Sequence, residues 1–221
     1  MYVIIKEGDK MRLRNVKGAK EIIESSKYII HNFDELKGNF NSLFKNDNPI
    51  CIEIGTGKGK FIKELALLNQ NINYIGIEKF DSVIVRALEK VENEDIPNLR
   101  FLRIDADIIA DVFYKEIDTI YLNFSDPWPK ARHTNRRLTS ENFLKKYDSL
   151  FKNNKKIIFK TDNRHLFEFS IKSLTDYNYK IDSICLDLYS EDLVDNVSTE
   201  YEDKFHNKGF PIYKVEVSKE N

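Results

Sequence analysis

Ile50-Cys51-Ile52-Glu53-Ile54 runs directly into Gly55-Thr56-Gly57-Lys58-Gly59. This junction limits the possible architectures more than any other segment of the chain. A short apolar run ending in glycines reads as a buried strand, and residues 58–68 then place Phe61, Ile62, Leu65 and Leu68 at helical spacing. The glycines permit a tight turn and let a ligand approach the backbone. The start of the helix adds free N–H donors and the positive end of its dipole. Spacing excludes two common phosphate loops. Lys60 stands where a G-x-G-x-x-G loop starting at Gly55 has its third glycine, and no G-x-x-x-x-G-K-[ST] is present.

The alternation continues downstream. Residues 74–77 read as a second strand, followed by a helix that Asp81 caps, with Val83, Ile84, Ala87, Leu88 and Val91 turned inward. Residues 99–104 and 117–122 are the third and fourth predicted strands, 139–150 a helix, 156–160 a fifth strand and 166–174 a helix. Residues 179–186 and 212–217 are late strands joined without a long helix. This order predicts an α/β fold: a mostly parallel sheet with helices on both faces and an antiparallel edge. Residues 49–221 form that single domain. Residues 1–48 precede it with a basic stretch (Lys10, Arg12, Arg14, Lys17, Lys20) and an amphipathic segment around Ile22 to Ile30, either an accessory helix on the sheet or a mobile arm.

At 221 residues with 41% hydrophobic and 32% charged content, the chain has enough apolar surface for one core. Its net charge of −1 makes no global case for a nucleic-acid partner, so any such case rests on local clustering. Cys51 and Cys185 sit inside apolar strand-like runs and read as buried thiols of a reducing compartment. The start lacks a signal-peptide pattern, and no apolar run approaches the roughly 20 residues that span a bilayer. A cytoplasmic protein without a membrane partner is expected. His31, His133, His165 and His206 show no ligand spacing with one another, so no metal is expected.

Three acids fall at the ends of three consecutive predicted strands: Glu53 before the glycines, Glu78 after the second strand and Asp105 after the third. In a parallel sheet these ends surround one crevice where ligands bind. A carboxylate at the second position can accept both hydroxyls of a ribose. One at the third can contact an adenine amino group, and the acid before the glycines can meet an ammonium group. The fourth strand delivers Ser125-Asp126-Pro127-Trp128-Pro129-Lys130 to the same edge. The prolines fix φ on both sides of the chain's only tryptophan, which predicts a stiff loop. Lys130, Arg132, His133, Arg136 and Arg137 follow within eight positions and read as a phosphate-contact patch.

Glu53 to Gly59 matches E-x-G-x-G-x-G without gaps. That motif resembles the first motif of class I S-adenosylmethionine-dependent methyltransferases, with their Rossmann-like seven-stranded sheet. The resemblance implies S-adenosylmethionine as cofactor, bound by Glu53, Gly55, Gly57, Gly59, Glu78, Asp105, Ala106 and Asp126. Further along, Asn123-Phe124-Ser125-Asp126-Pro127-Trp128-Pro129-Lys130, Arg132-His133, Arg136-Arg137-Leu138, Lys160-Thr161-Asp162 and Thr199-Glu200-Tyr201-Glu202 resemble the signatures of the bacterial tRNA (guanine-N7-)-methyltransferases. This implies methyl transfer to N7 of the variable-loop guanine, position 46 of tRNA, without an obligate protein partner. It makes Asp126 the catalytic candidate. Lys130, Arg132, His133, Arg136, Arg137, Asp162, Thr199, Tyr201 and Glu202 are then substrate-binding candidates. Guanine N7 carries an in-plane lone pair and no proton, so the chemistry needs alignment and charge stabilisation rather than a general base on that atom.

Three other readings stay open on the residues alone. An amino methyltransferase of the same fold carries [ND]-P-P-[YFW] at the fourth strand end, whereas Asp126-Pro127-Trp128 has one proline before the aromatic. A non-catalytic RNA-binding subunit would keep the fold and need a partner. An NAD-dependent oxidoreductase would need the glycine spacing that is absent.

Overall fold

The strands Ile50–Ile54 (β1), Asn73–Ile77 (β2), Leu99–Leu102 (β3), Ile117–Asn123 (β4), Phe151–Thr161 (β5), Lys180–Cys185 (β6) and Tyr213–Lys219 (β7) join in one sheet of order β3-β2-β1-β4-β5-β7-β6. The computed structural model describes residues 16–190 and 196–220. Lys10, Arg12 and Arg14 of the expected basic stretch lie outside the described residues. The first five strands pair parallel, and β7 runs antiparallel to both β5 and β6. The chain therefore reverses at one side of the sheet, with β7 seated one strand in from the edge.

Seven α-helices surround this sheet among the described residues: Ala19–Ser25 (α1), Lys60–Leu68 (α2), Asp81–Val91 (α3), Ile109–Val112 (α4), Glu141–Tyr147 (α5), Arg164–Asp176 (α6) and Glu200–His206 (α7). Strand alternation splits the core into two layers. Ile50, Ile52 and Ile54 face Leu144, Tyr147, Leu166 and Phe167, the inner sides of α5 and α6. Cys51, Tyr74 and Phe101 face Ile62, Ala66, Ile84 and Leu88, the inner sides of α2 and α3. Covering both faces explains why β1 and β2 are buried along their whole length and read as apolar runs rather than alternating ones.

The segment before β1 belongs to these layers. Its helix ends at Ser25, earlier than the expected segment, and residues 28–30 run extended beside β3. Ile30 donates to the Phe101 carbonyl at 2.9 Å and Phe101 to that of Tyr28 at 2.7 Å, covering part of an open sheet edge. Tyr28, Phe40 and Phe44 are buried.

Three local expectations change. Phe80, not Asp81, holds the capping position of α3, and Asp81 is its first residue, paired with Arg103. An acid in the first turn still complements the dipole there. The helix expected over 139–150 shortens to α5, because Thr139 and Ser140 point inward before it, Thr139 to the Ser170 hydroxyl at 2.7 Å. β5 begins at Phe151, five residues before the expected start, through pairing with β4 and β7 that its polar start does not advertise.

Candidate active site

The C-terminal ends of β1 to β4 frame a cleft of about 1320 Å³, lined among others by Gly55, Glu78, Asp105, Ala106, Asp126 and Lys130. The glycine loop opens it. Gly55 and Gly57 have φ of 82° and 60°, and a Cβ on either would meet nothing within 4 Å. Their bare backbone leaves room for a ligand. Gly59 differs: a Cβ there would lie 2.7 Å from the Cβ of Ala87. Beside the cofactor contact expected of it, Gly59 has a packing role, because the third glycine lets α2 approach α3.

Glu53 is buried beneath this loop rather than in the cleft wall. It accepts the Thr56 hydroxyl at 2.6 Å and the Asn123 side-chain N–H at 2.8 Å. Burial pushes its carboxyl up to about 7, against those hydrogen bonds and the charge of Lys160. Asn123 lines the cleft, and its buried Oδ1 has no hydrogen-bond partner among the described residues. An orphaned acceptor beside a carboxylate is suited to a cationic donor. Glu78 accepts backbone N–H groups from Lys79 at 2.9 Å, Phe80 at 3.1 Å and Gly57 at 3.2 Å, so its carboxylate is fixed in place. Burial raises its pKa while those donors pull it down. Asp105 is exposed, accepts the Asp107 N–H at 3.1 Å and lies 3.6 Å from the Lys79 ammonium.

The loop after β4 holds two L residues in the left-handed region, Phe124 at φ 51° and Trp128 at φ 41°. Asp126, between them, is exposed in the cleft wall. The guanidinium of Arg136 lies 4.9 Å from the Trp128 ring, and the His133 ring 5.6 Å from it. Lys130 and Arg136 line the cleft, while Arg132 is exposed and His133 half-buried, both outside its wall. Arg137 turns inward. It donates to the carbonyls of Pro127 at 3.0 Å and Trp128 at 3.1 Å, and its guanidinium lies 4.3 Å from the Phe169 ring. Arg137 as a phosphate contact is therefore corrected to a residue that grips its own loop.

At the end of β5, Lys160 is 3% exposed and Glu202 fully buried. Lys160 donates to Glu202 at 2.9 Å, to the Asn196 side chain at 2.9 Å and to the Val197 carbonyl at 2.8 Å. Glu202 also accepts the Asn196 amide at 2.7 Å and the Tyr189 hydroxyl at 3.1 Å. With Thr199 it forms the capping box that starts α7. Thr199 and Glu202, expected to face the substrate, thus lock the segment before α7 onto the sheet, since a buried carboxylate needs these partners. Tyr201 does line the cleft. Its ring lies 4.9 Å from that of Phe124, and its hydroxyl donates to Asp162 at 3.4 Å. Asp162 is half-buried behind it, outside the cleft wall. In the sequence Lys160 stands out only within its motif; a lysine ending an apolar strand upstream of a T-x-x-E capping box is the available signal.

Comparison with known proteins fits this architecture. A sequence-family profile described as "Putative methyltransferase" matches residues 47–215. The chain is 49% identical over 207 residues to the tRNA (guanine-N(7)-)-methyltransferase of Lachnoclostridium phytofermentans, covering 93% of this chain and 97% of that protein. It is 50% identical over 209 residues to the enzyme of the same name from Bacillus subtilis, covering 94% and 98%. The chain belongs to the tRNA (guanine-N7-)-methyltransferase family. The fold extends beyond that family. An antibiotic-related methyltransferase superposes with a TM-score of 0.61 at 17% identity, covering 93% of this chain and 99% of that one. The 16S rRNA methyltransferase KamB superposes with a TM-score of 0.59 at 12% identity, covering 83% and 93%. Among the described residues no cluster of His, Cys, Asp and Glu is able to hold a metal ion, and no helix is long and apolar enough to cross a membrane.

Proposed function

We propose that this protein transfers the methyl group of S-adenosylmethionine to N7 of the variable-loop guanine of tRNA, giving 7-methylguanosine and S-adenosylhomocysteine. One observation carries the cofactor half of the reading. The cleft joins a side-chain-free glycine backbone, a carboxylate fixed by three backbone donors and an orphaned buried acceptor above Glu53. Those groups fit an amino acid, a ribose and a purine in one extended molecule. Glu78 would take the ribose hydroxyls, Asp105 with Ala106 the adenine, and Asn123 over Glu53 the ammonium. The cofactor supplies an electrophilic methyl group, and the chain's residues do the rest.

Asp126 stands in the same cleft wall as Glu78 and Asp105. Positive charge moves onto the guanine as N7 is alkylated, and a carboxylate beside the base stabilises it. Tyr201 and Phe124 offer ring surface to an unstacked base. Lys130 and Arg136, beside Asp126, would hold the flanking phosphates. Because the net charge is −1, this local patch carries the electrostatic attraction.

The test uses the isolated chain, labelled S-adenosylmethionine and two unmodified tRNA transcripts, one with the variable-loop guanine changed to adenine. Borohydride and aniline cleavage maps 7-methylguanosine. Label and cleavage at that guanine alone are expected. Equal label in both transcripts, or label without cleavage, would assign another acceptor.

A further inference from the structure

We propose that Arg137 is a positioning residue for the methyl transfer. It holds the backbone of the Pro127-Trp128 turn in the conformation that presents Asp126 to the cleft. The inference rests on the methyltransferase reading above and assigns Arg137 a task apart from the exposed cations of the same run.

Three features carry it. First, the turn is strained, with Phe124 and Trp128 both in the left-handed region that L side chains adopt only when their surroundings impose it. Second, Arg137 supplies that constraint at the Trp128 end of the turn. Its Nε and Nη2 reach two successive carbonyls, those of Pro127 and Trp128, which suits the rigid guanidinium fork. Third, the clamp is itself anchored. The guanidinium lies against Phe169 of α6, and the Arg137 backbone is tied at both ends, its N–H donating to the Thr134 carbonyl and its carbonyl accepting from Ser140. Lys130, Arg132 and Arg136 are exposed, whereas Arg137 is half-buried and its Nε and Nη2 donate inside the protein. Asp126 precedes the clamped carbonyls directly, so freeing them frees its carboxylate.

The experiment compares Arg137→Ala and Arg137→Lys with the parent chain and with Arg132→Ala. The single tryptophan, Trp128, makes the turn its own reporter. In the free protein, Arg137→Ala is expected to increase quenching of Trp128 emission by acrylamide. In the assay kcat should fall about 10- to 100-fold, the scale for misplacing a reacting group by about an ångström. The KM for tRNA and the slope of log affinity against log salt should stay at the parent values, while Arg132→Ala lowers that slope. Arg137→Lys should recover part of kcat, since an ammonium reaches one carbonyl at a time.

A raised KM with a salt slope smaller by about one, and unchanged Trp128 quenching, would make Arg137 a phosphate contact and overturn the proposal. So would a kcat loss no larger than the loss of folded protein. If Arg137→Ala does not fold, Arg137→Lys decides: parent quenching and parent kcat in that variant overturn the proposal. A parent chain that transfers no methyl group refutes the reaction itself, whereas the quenching comparison still reports on the clamp.

Discussion

Replacing Lys160 by Met should destabilise the protein more than any single change to a surface charge. The substitution keeps the stem of the side chain and its packing near the Phe61 ring, 5.1 Å from the ammonium in the parent. It removes the cation from Glu202, which is fully buried and cannot turn to water. Breaking a buried pair by removing one partner costs about 3–5 kcal/mol, because the other charge is left uncompensated. The Asn196 side chain and Val197 carbonyl lose their donor in the same step. For a chain of this size, about 2–4 °C of melting temperature is lost per kcal/mol. A fall of roughly 10 °C is therefore expected. The measurement is urea unfolding followed by circular dichroism on the parent, Lys160→Met, Glu202→Gln and the double variant. The double variant should cost less than the two singles together by about 1–3 kcal/mol, since the singles each orphan a partner that the double removes. A single cost below about 1 kcal/mol, or additivity within about 0.5 kcal/mol, would refute the claim that this pair holds the segment before α7.

Four further outcomes are expected. The Glu53 carboxyl rises from the ordinary 4.5 to about 7, so its contribution to stability is full below pH 4.5 and is lost as pH climbs through 7. That gap amounts to about 3 kcal/mol, and the pH dependence of urea midpoints should flatten in Glu53→Gln. Cofactor binding near pH 6.5 should also release a proton, read by calorimetry in two buffers of different ionisation enthalpy; no buffer dependence would contradict the ammonium placement. Gly59→Ala should destabilise by about 1–3 kcal/mol through overpacking against Ala87, on top of the strain a side chain meets at φ 75°; Gly55→Ala carries that strain at φ 82° without a steric contact, so it should destabilise less and also weaken cofactor binding. Asp126→Asn should cut kcat by about 100-fold with the cofactor Kd unchanged; full turnover with unchanged tRNA affinity would remove Asp126 from its role.

The parts of this structure legible in the sequence are those governed by local rules. β1, the glycine turn and α2 follow from an apolar run, φ-permissive residues and a 3.6-residue period, and all three lie within nineteen residues. The acids at strand ends were legible because a parallel sheet brings them to one edge whatever its details. What was hidden is the direction in which a charged side chain points. Arg137 and Lys130 look alike in a basic run, yet one meets two carbonyls and the other water. Lys160 and Glu202 are 42 positions apart and become partners only once β7 slots between β5 and β6. The capping box at Thr199 was written plainly in T-x-x-E, but a reading that seeks a substrate sees ligands where the helix is satisfying its own first turn.

The helix α7 carries one more consequence. Lys60 opens α2 directly after the glycine turn, and its ammonium reaches Asp203 at 2.7 Å and Ser198 at 2.6 Å. Lys90 near the end of α3 pairs with Glu200. The element that presents Tyr201 to the cleft is thus fastened to the start of α2 and the end of α3. Such a strut offers a route for coupling the two binding events, and any coupling between them is reciprocal. The factor by which S-adenosylmethionine tightens tRNA must then equal the factor by which tRNA tightens S-adenosylmethionine, and cutting the strut at Lys60 should shrink both together.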